Sequence, residues 1–582
     1  MFNPLKRSTR LGHWDGQRQS IHEDWLPLPR MERRAGLIRI SLVVATAILL
    51  TVITSTCAPP VALHIGENST RDIRARVAFS TVNLPQTERL REEVQDQGKV
   101  TSPVEAREVV PPVIEQYSEG TPLVKRGQPI TPLQFTLLHE EERAYQHSLS
   151  AGDAVRLNFA EFLIHLLICS VVAVYVVSFQ PALLQNMPRL LGMCGQTLLT
   201  VALALLLSRS PWHAAAVPLT VTAMVFAIAF NPPFALLMSF SISLITTIAM
   251  RTGIESLTVH IGGLAAAVLL LRGVRTRSRL LRVSLAAGAT YALLTLCNGI
   301  TTEQTVRWIA FDAGRYLVWA LLAGFILSGS LPLVERGYGI VTDVTLLELA
   351  DSSHPLLQEL IRRAPGTYTH SMTMATLADA AAEAIGANPL LSRVGCYFHD
   401  VGKMLKPHYF IENQLGENRH DTLEPALSTL VIIGHVKDGM ALAEQYRLPR
   451  PVADFIQQHH GTTLVEYFYR EAIRLRDENG HGSGELEFAF RYPGPKPQSR
   501  EIGIVMLADA VESASRALPM PTPNSLRKLV HDLIMKRLLD GQFDESGLTL
   551  TELHRIEESL CKSVVALYHA RIRYPEELRE AS

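Results

Sequence analysis

Cysteine is scarce and unpatterned in this chain of 582 residues. Its six cysteines are Cys57, Cys169, Cys194, Cys297, Cys396 and Cys561; none forms a CxxC pair, and four lie in or beside apolar runs. A secreted disulfide framework is thereby excluded. Charge of one sign is also missing. The formal net charge is −1, which argues against a protein dedicated to coating nucleic acid. No internal repeat with a period of about 20 to 50 residues is visible, so repeat architectures are set aside. What the chain does have is apolar sequence, unevenly spread, and a length that calls for two or more domains.

The first strongly apolar run is 37–58, around SLVVATAILLTVI. A basic tail over 1–36, with Lys6, Arg7, Arg10, Arg18, Arg30, Arg33 and Arg34, leads into it, and Arg39 follows just inside the run. The tail is long for a signal peptide and no A-x-A site follows, so the run reads as a membrane-spanning anchor. A lipoprotein site at Cys57 is disfavoured by the preceding Thr-Ser-Thr. Residues 59–157 are polar and mixed, and read as a short, separately placed outer domain of uncertain class. From 158 to 333 the chain is mostly apolar, in seven runs: 158–179, 188–208, 212–230, 233–250, 257–271, 280–299 and 308–333. Most approach the roughly 20 residues that a spanning helix needs; 257–271 is short, which leaves a count of six as the rival.

Charge favours seven. With the basic tail inside, seven further crossings return the chain to the cytoplasm. The loop bearing Arg272, Arg275, Arg277, Arg279 and Arg282 then falls inside, and the outer loops keep only isolated arginines such as Arg209, Arg251 and Arg307. Asp312 and Arg315 stand three apart near the outer end of the last run. A substrate or ion path is one reading; a mutually neutralising pair is the plainer and preferred one.

The stretch 340–582 is helical and soluble in pattern, with eight histidines between 354 and 460. Asn388-Pro389 starts a helix, as N-cap and N1. Leu391, Val394, Gly395 and Phe398 follow at helical spacing, His399 continues that stripe, and Gly402 offers a stop. His370 lies four before Met374 on the stripe Met374, Leu377, Ala378, Ala381, Ile385. Val452, Phe455 and Ile456 lead to His459 and His460. His435 extends a face made by Leu427, Leu430 and Val431. Ile502, Val505 and Met506 lead to Asp509.

A lone histidine on an apolar face is usually a satisfied core residue, but a carboxylate there needs a partner. Five histidines and two aspartates on inward stripes point to metal binding: His370, His399, Asp400, His435, His459, His460 and Asp509. Seven ligands exceed one tetrahedral site and suit two metals about 4 Å apart, with Asp400 the best shared carboxylate. The His/Asp set favours iron or manganese. Such a pair suits phosphate-ester hydrolysis. Lys403 is placed to neutralise a phosphate oxygen; a solvated lysine at a helix end is the plainer reading. A second HisAsp pair, His420–Asp421, has no apolar stripe leading to it and reads as a loop or cap.

These residues carry a family resemblance. The stretches APGTYTHS (364–371), YFHDVGKM (397–404), FIENQ (410–414), HVKDG (435–439), QHHGT (458–462), FRYPGPKP (490–497) and LADAVESASR (507–516) resemble the HD superfamily of metal-dependent phosphohydrolases. More closely, they resemble its seven-transmembrane HD family, whose members hydrolyse cyclic di-AMP. The resemblance covers about 330–575, and the anchor, outer domain and seven spans match the family's layout. It implies an all-α architecture: a polytopic helical membrane bundle, then an all-helical HD domain over 340–582. It also implies the seven ligands named above, catalytic roles for Asp400 and Lys403, and linear pApA as product. The 491–497 loop would border the nucleotide, with Arg491, Tyr492 and Lys496 as contacts; a rigid surface turn is the alternative.

The expected partners are cyclic di-AMP, the bilayer of a bacterial inner membrane and an unknown outer signal, with no nucleic-acid polymer; a homodimer is left open. Two departures stand out. The outer domain is much shorter than the family's, although its closing EGTPLVKRGQPI (119–130) remains, and Arg419 stands where the family often has Pro. A cyclic di-GMP enzyme of the HD-GYP kind would need a Gly-Tyr-Pro motif, which the sequence lacks. A receptor that binds nucleotide without turnover and a transporter with a cytoplasmic regulator are the readings from other classes; few charges in the spans weigh against the transporter.

Overall fold

The computed structural model describes residues 33–97, 106–107, 109–271, 273–414, 416–478, 487–519 and 521–569. Lys6, Arg7, Arg10, Arg18 and Arg30 of the basic tail, and Arg272, lie outside the described residues. The anchor run forms helix α1, Arg33–Cys57.

The polar segment that follows is mixed rather than helical. Strand β1 (Ile73–Arg74) pairs antiparallel with β4 (Pro122–Val124), and β2 (Phe79–Val82) with β3 (Ile114–Tyr117). Helix α2 (Leu84–Asp96) falls in the chain between β2 and β3, and α3 (Pro132–Ser148) closes the segment. Thr131 and Gln134 form a capping box at the start of α3. Phe79, Leu123, Val124, Ile130 and Leu138 make its small core.

The apolar region folds as α4 (Ala151–Phe179), the short α5 (Pro181–Gln185), α6 (Met187–Leu207), α7 (Ala216–Ala229), α8 (Pro232–Ala249), α9 (Ile254–Leu270), α10 (Arg277–Thr301) and α11 (Val306–Tyr338). Among the described residues seven helices are long and apolar enough to cross a membrane: α1, α4, α6, α8, α10, α11 and Pro425–Gln445. The last belongs to the C-terminal region, where it carries His435. In its place the bundle has two shorter apolar helices, α7 and α9. The run expected at 212–230 yields a helix only from Ala216, because residues 208–215 form a turn. The outward faces are apolar. Leu163, Leu167, Val171 and Val174 are exposed along one side of α4, the inverse of a soluble helix and the pattern of a multi-pass membrane protein. Inside the bundle, small residues let backbones approach. A Cβ on Gly288 of α10 would meet Leu317 Cδ1 at 2.9 Å, and one on Gly324 of α11 would meet Ser284 Oγ at 2.4 Å.

Helix α11 ends at Gly339, whose φ of +60° is the left-handed cap that glycine favours. The buried Glu335 carboxylate accepts from Thr342 N (2.8 Å), Thr342 Oγ1 (2.6 Å) and Thr345 Oγ1 (2.7 Å), fixing the start of α12, Asp343–Leu349. The C-terminal region then adds α13 (Pro355–Arg363), α14 (Pro365–Ile385), α15 (Pro389–Phe398), α16 (Pro425–Gln445), α17 (Arg450–Gln458), α18 (Glu466–Glu478), α19 (Arg500–Arg516), α20 (Pro523–Leu539) and α21 (Leu550–His569). Short 3-10 turns link α15 to α16. Two apolar cores support it. One joins α14, α19 and α21 through Met374, Val505 and Ile556; the other joins α13, α15 and α17 through Leu360, Phe398 and Ile456.

Candidate metal centre

Five segments deliver the seven residues to one interior. His370 comes from α14, His399 and Asp400 from the end of α15, His435 from α16, His459 and His460 from the end of α17, and Asp509 from α19. The stripes on α14, α15, α17 and α19 run buried as their spacing requires. The stripe on α16 does not. Leu427 and Leu430 are exposed, and His435 reaches the interior on a face made by Ser428, Gly439, Leu442 and Ala443. Small residues serve there because backbone must approach backbone: a Cβ on Gly402 would lie 1.9 Å from the His435 carbonyl oxygen. That contact seats the turn Val401–Leu405 on α16.

The side chains form two groups, Asp400–His435–His459–His460 and His370–His399–Asp509, with the ligand atoms of each within 4.8 Å of one another. Asp400 divides between them. Its Oδ1 lies 3.2 Å from His435 Nε2 and 3.6 Å from His459 Nε2; its Oδ2 lies 3.0 Å from His399 Nε2 and 3.9 Å from His370 Nε2. Asp509 Oδ1 is 3.1 Å from His370 Nε2 and its Oδ2 3.9 Å from His460 Nδ1.

The outer ring nitrogens test whether cations fit. His399 Nδ1 donates to the Cys396 carbonyl (2.7 Å), His435 Nδ1 to Ile432 (2.6 Å) and His459 Nδ1 to Phe455 (2.9 Å). A carbonyl only accepts, so each Nδ1 carries a proton and each Nε2 is the nitrogen left to face inward. Three Nε2 atoms then face the oxygens of one carboxylate, at 3.0, 3.2 and 3.6 Å. The buried His399 Nε2 and Asp400 Oδ1 make no hydrogen bond among the described residues. Orphaned polar atoms at the centre, with the outer ring nitrogens tied to carbonyls, are what a metal site looks like, and the donor set fits metal. The carboxylates are in their ligating form. Burial works against the Asp400 charge, but His399 and Lys403 hold it well below the usual carboxylate range. Asp509 is lowered too, against its burial, chiefly by His370.

Two acidic residues escaped the sequence reading. Glu512, one turn beyond Asp509, is buried, with Oε2 2.6 Å from His370 Nδ1 and Oε1 paired to Arg516. Burial opposes a charge on His370, yet Asp509 and Glu512 outweigh it and raise its pKa to about 10. Glu412 accepts from Thr367 Oγ1 (3.0 Å) and from Lys403 Nζ (3.1 Å). Lys403 is not a solvated lysine: Nζ is 2.7 Å from Asp400 Oδ2 and mostly buried.

The 491–497 loop divides. Tyr492 is buried and stacks on His460, with centroids 4.2 Å apart. Arg491 is held by Glu487 (2.6 Å) and Asp540 (2.9 Å), and Lys496 by Asp544 (3.0 Å), so neither joins the two groups. His420 and Asp421 also lie outside both groups. They sit in a turn capped by Asn418, and His420 Nε2 is 2.8 Å from the Tyr409 carbonyl oxygen.

Comparison with known proteins finds matches to both halves of the chain. Residues 157–342 match the family described as 7TM receptor with intracellular HD hydrolase, and residues 367–514 match the HD domain. The chain is 36% identical over 371 residues to the cyclic-di-AMP phosphodiesterase PgpH of Bacillus subtilis, covering 62% of this chain and 51% of that protein. It is 38% identical over 372 residues to the Listeria monocytogenes protein of the same name, covering 62% of this chain and 50% of that one. The chain thus spans about half the length of the curated relatives it matches. The crystal structure of the L. monocytogenes PgpH HD domain is 44% identical, covering 37% of this chain and 100% of that chain with a TM-score of 0.35. The same domain in complex with cyclic-di-AMP is 44% identical and covers 38% of this chain and 100% of that one, also at 0.35. Residues 157–342 are therefore similar to the membrane region of the 7TM receptors with intracellular HD hydrolase, and residues 367–514 to the HD domain.

Proposed function

We propose that the protein is a membrane-bound phosphodiesterase that adds water across one phosphodiester of cyclic di-AMP and releases linear pApA. The observation that carries this reading is Asp400, whose two oxygens face two separate histidine groups. His435, His459 and His460 would hold one divalent cation, His370, His399 and Asp509 the other, and Asp400 both, with iron or manganese the metals this donor set suits. Bound there, the cations supply Lewis-acid stabilisation to the oxygens of the phosphodiester and of the attacking water.

The protein's own part is orientation and charge. The Cys396, Ile432 and Phe455 carbonyls and the Glu512 carboxylate fix the imidazoles. Lys403 keeps a positive charge beside Asp400, within reach of a phosphate oxygen. Tyr492 holds the His460 ring by stacking and borders the nucleotide. Arg491 and Lys496 brace that loop through their ion pairs and contact nucleotide only if those pairs open.

The reading assigns 37–58 to an anchor, 59–157 to the outer side, 158–333 to the bilayer and 340–582 to the cytoplasm of a bacterial inner membrane. Contacts at the two ends of α10 support it. Beyond one end, Asn68 exchanges hydrogen bonds with Gln304 (2.7 and 2.8 Å). At the other, Arg275 and Arg277 pair with Asp343 (3.5 Å) and Glu348 (3.2 Å) of the C-terminal region.

The test uses the full chain in nanodiscs, loaded anaerobically with iron or with manganese and offered cyclic di-AMP and cyclic di-GMP in parallel. Chromatography should show pApA formed and cyclic di-GMP cut slowly. Metal bound with neither substrate cut would replace the enzyme with a binding-only receptor.

A further inference from the structure

A second polar interior lies at the other end of the bundle. Where the segment after α1 meets the ends of α9, α10 and α11 there is a cavity of about 690 Å³. Trp308, Asp312 and Tyr316 of α11 line it. They stand four apart, so one helical face presents a carboxylate with an aromatic ring on either side. Asp312 Oδ1 accepts from Arg315, as its spacing suggests, but its other oxygen accepts no hydrogen bond among the described residues. Glu255 also lines the cavity, and its carboxylate has no ion pair among the described residues. Thr295, 6% exposed, also lines the cavity, and its buried hydroxyl has no hydrogen-bond partner among the described residues.

The sign of the charge selects the ligand class. Six carboxylates and four arginines line the cavity. Arg76 is taken by Glu141 and Glu142, and Arg251 by Glu142, while Arg71 and Arg74 are exposed to solvent. The unpaired Nε and Nη1 of Arg315 do not border the cavity, so no free guanidinium awaits an anion among its buried walls. Carboxylate oxygens without donors, beside a Trp and a Tyr, are the chemistry that holds an ammonium group.

We propose that this cavity binds a small organic ammonium ion, its charge on Asp312 and Glu255 and its carbon substituents against Trp308 and Tyr316. The site is independent of the metal centre and of the reaction assigned to it. Two sources share the chemistry, a soluble amine and an aminated lipid headgroup.

The full chain in phosphatidylglycerol nanodiscs is titrated calorimetrically with ethanolamine and with tetramethylammonium chloride, with sodium acetate as the anionic control. Saturable binding of the cations and none of acetate is expected. Asp312→Asn should weaken both cations at least tenfold, and Tyr316→Leu should weaken tetramethylammonium by a similar factor. Arg71→Gln, at the solvent edge, should bind as the parent does. Thermal melting checks each variant for folding; should Asp312→Asn unfold, Tyr316→Leu decides. Repeating the titration in nanodiscs containing phosphatidylethanolamine separates the sources: unchanged affinity assigns a soluble amine, and loss of apparent affinity assigns the lipid headgroup. No saturable cation binding in phosphatidylglycerol, acetate binding in its place, or parental affinity in the folded variants overturns the proposal.

Discussion

Replacing Glu512 by glutamine separates the two metals of the proposed centre. Glu512 touches one ligand, His370, through a contact of 2.6 Å between two buried side chains. Glutamine keeps the shape and can still accept from Nδ1, but it removes the charge that makes the ring a stronger donor toward metal. A bond of this kind to a charged group contributes about 1.5–3 kcal/mol, and removing the partner behind a ligating histidine weakens metal binding by about 10–100-fold. The surviving neutral hydrogen bond places Glu512→Gln near tenfold, or about 1.4 kcal/mol. The loss should fall on the His370–His399–Asp509 group alone, because His435 and His459 are oriented by carbonyls of their own helix. Titration against a chromogenic chelator, with elemental analysis of the dialysed protein, should show one site with parental affinity and one weakened. Two parental affinities would refute the assignment of Glu512, and equal loss at both sites would refute the division into two groups.

Other expectations follow from single contacts. Gly402→Ala would drive a Cβ to 1.9 Å from the His435 carbonyl oxygen and 2.6 Å from Gly439 N, both backbone; overpacking of this kind should cost about 3 kcal/mol, seen as a lowered melting temperature with loss of bound metal. Lys403→Met strips the buried Asp400 and the partly buried Glu412 of their shared cation. The metal-free protein should lose about 3 kcal/mol and the metal-loaded protein less, so metal loading should raise the melting temperature more in the variant than in the parent. His420→Ala removes a hydrogen bond to the Tyr409 carbonyl; stability should fall by about 1 kcal/mol while metal stoichiometry, read by elemental analysis, stays at the parental value.

How far the sequence speaks for itself differs from residue to residue. His399 and His459 end helices whose buried positions repeat at 3.6-residue spacing, so periodicity alone carries the eye to them. For His435 the apolar pattern marks the wrong face, because Leu427 and Leu430 face outward and the inner face is built from Ser428 and Gly439. Apolarity marks a buried face only where side chains do the packing, and here backbone does it. Glu512 carried a usable signal, an acid directly after the buried Val511 and one turn from Asp509. The pairing of Arg491 with Asp540 and of Lys496 with Asp544 joins residues some fifty positions apart, which no local pattern encodes. The two short strand pairs before α3 are legible only in space for the same reason, since each strand has four residues or fewer.

Helix α11 runs unbroken for 33 residues, from the cavity wall at Trp308 to the Glu335 clamp on Thr342. At 1.5 Å per residue it is a rod of about 50 Å. A rod of hydrogen-bonded turns changes length very little, so the motions open to it are sliding along its axis, rolling about it and tilting. Each would act on α12, since Glu335 grips Thr342 and Thr345 beyond Gly339. Pro332 interrupts the backbone ladder about one turn before that grip. The shaft is therefore stiff over most of its length and softest close to its load, so that a small displacement at the Trp308 end would reach α12 as a change of angle.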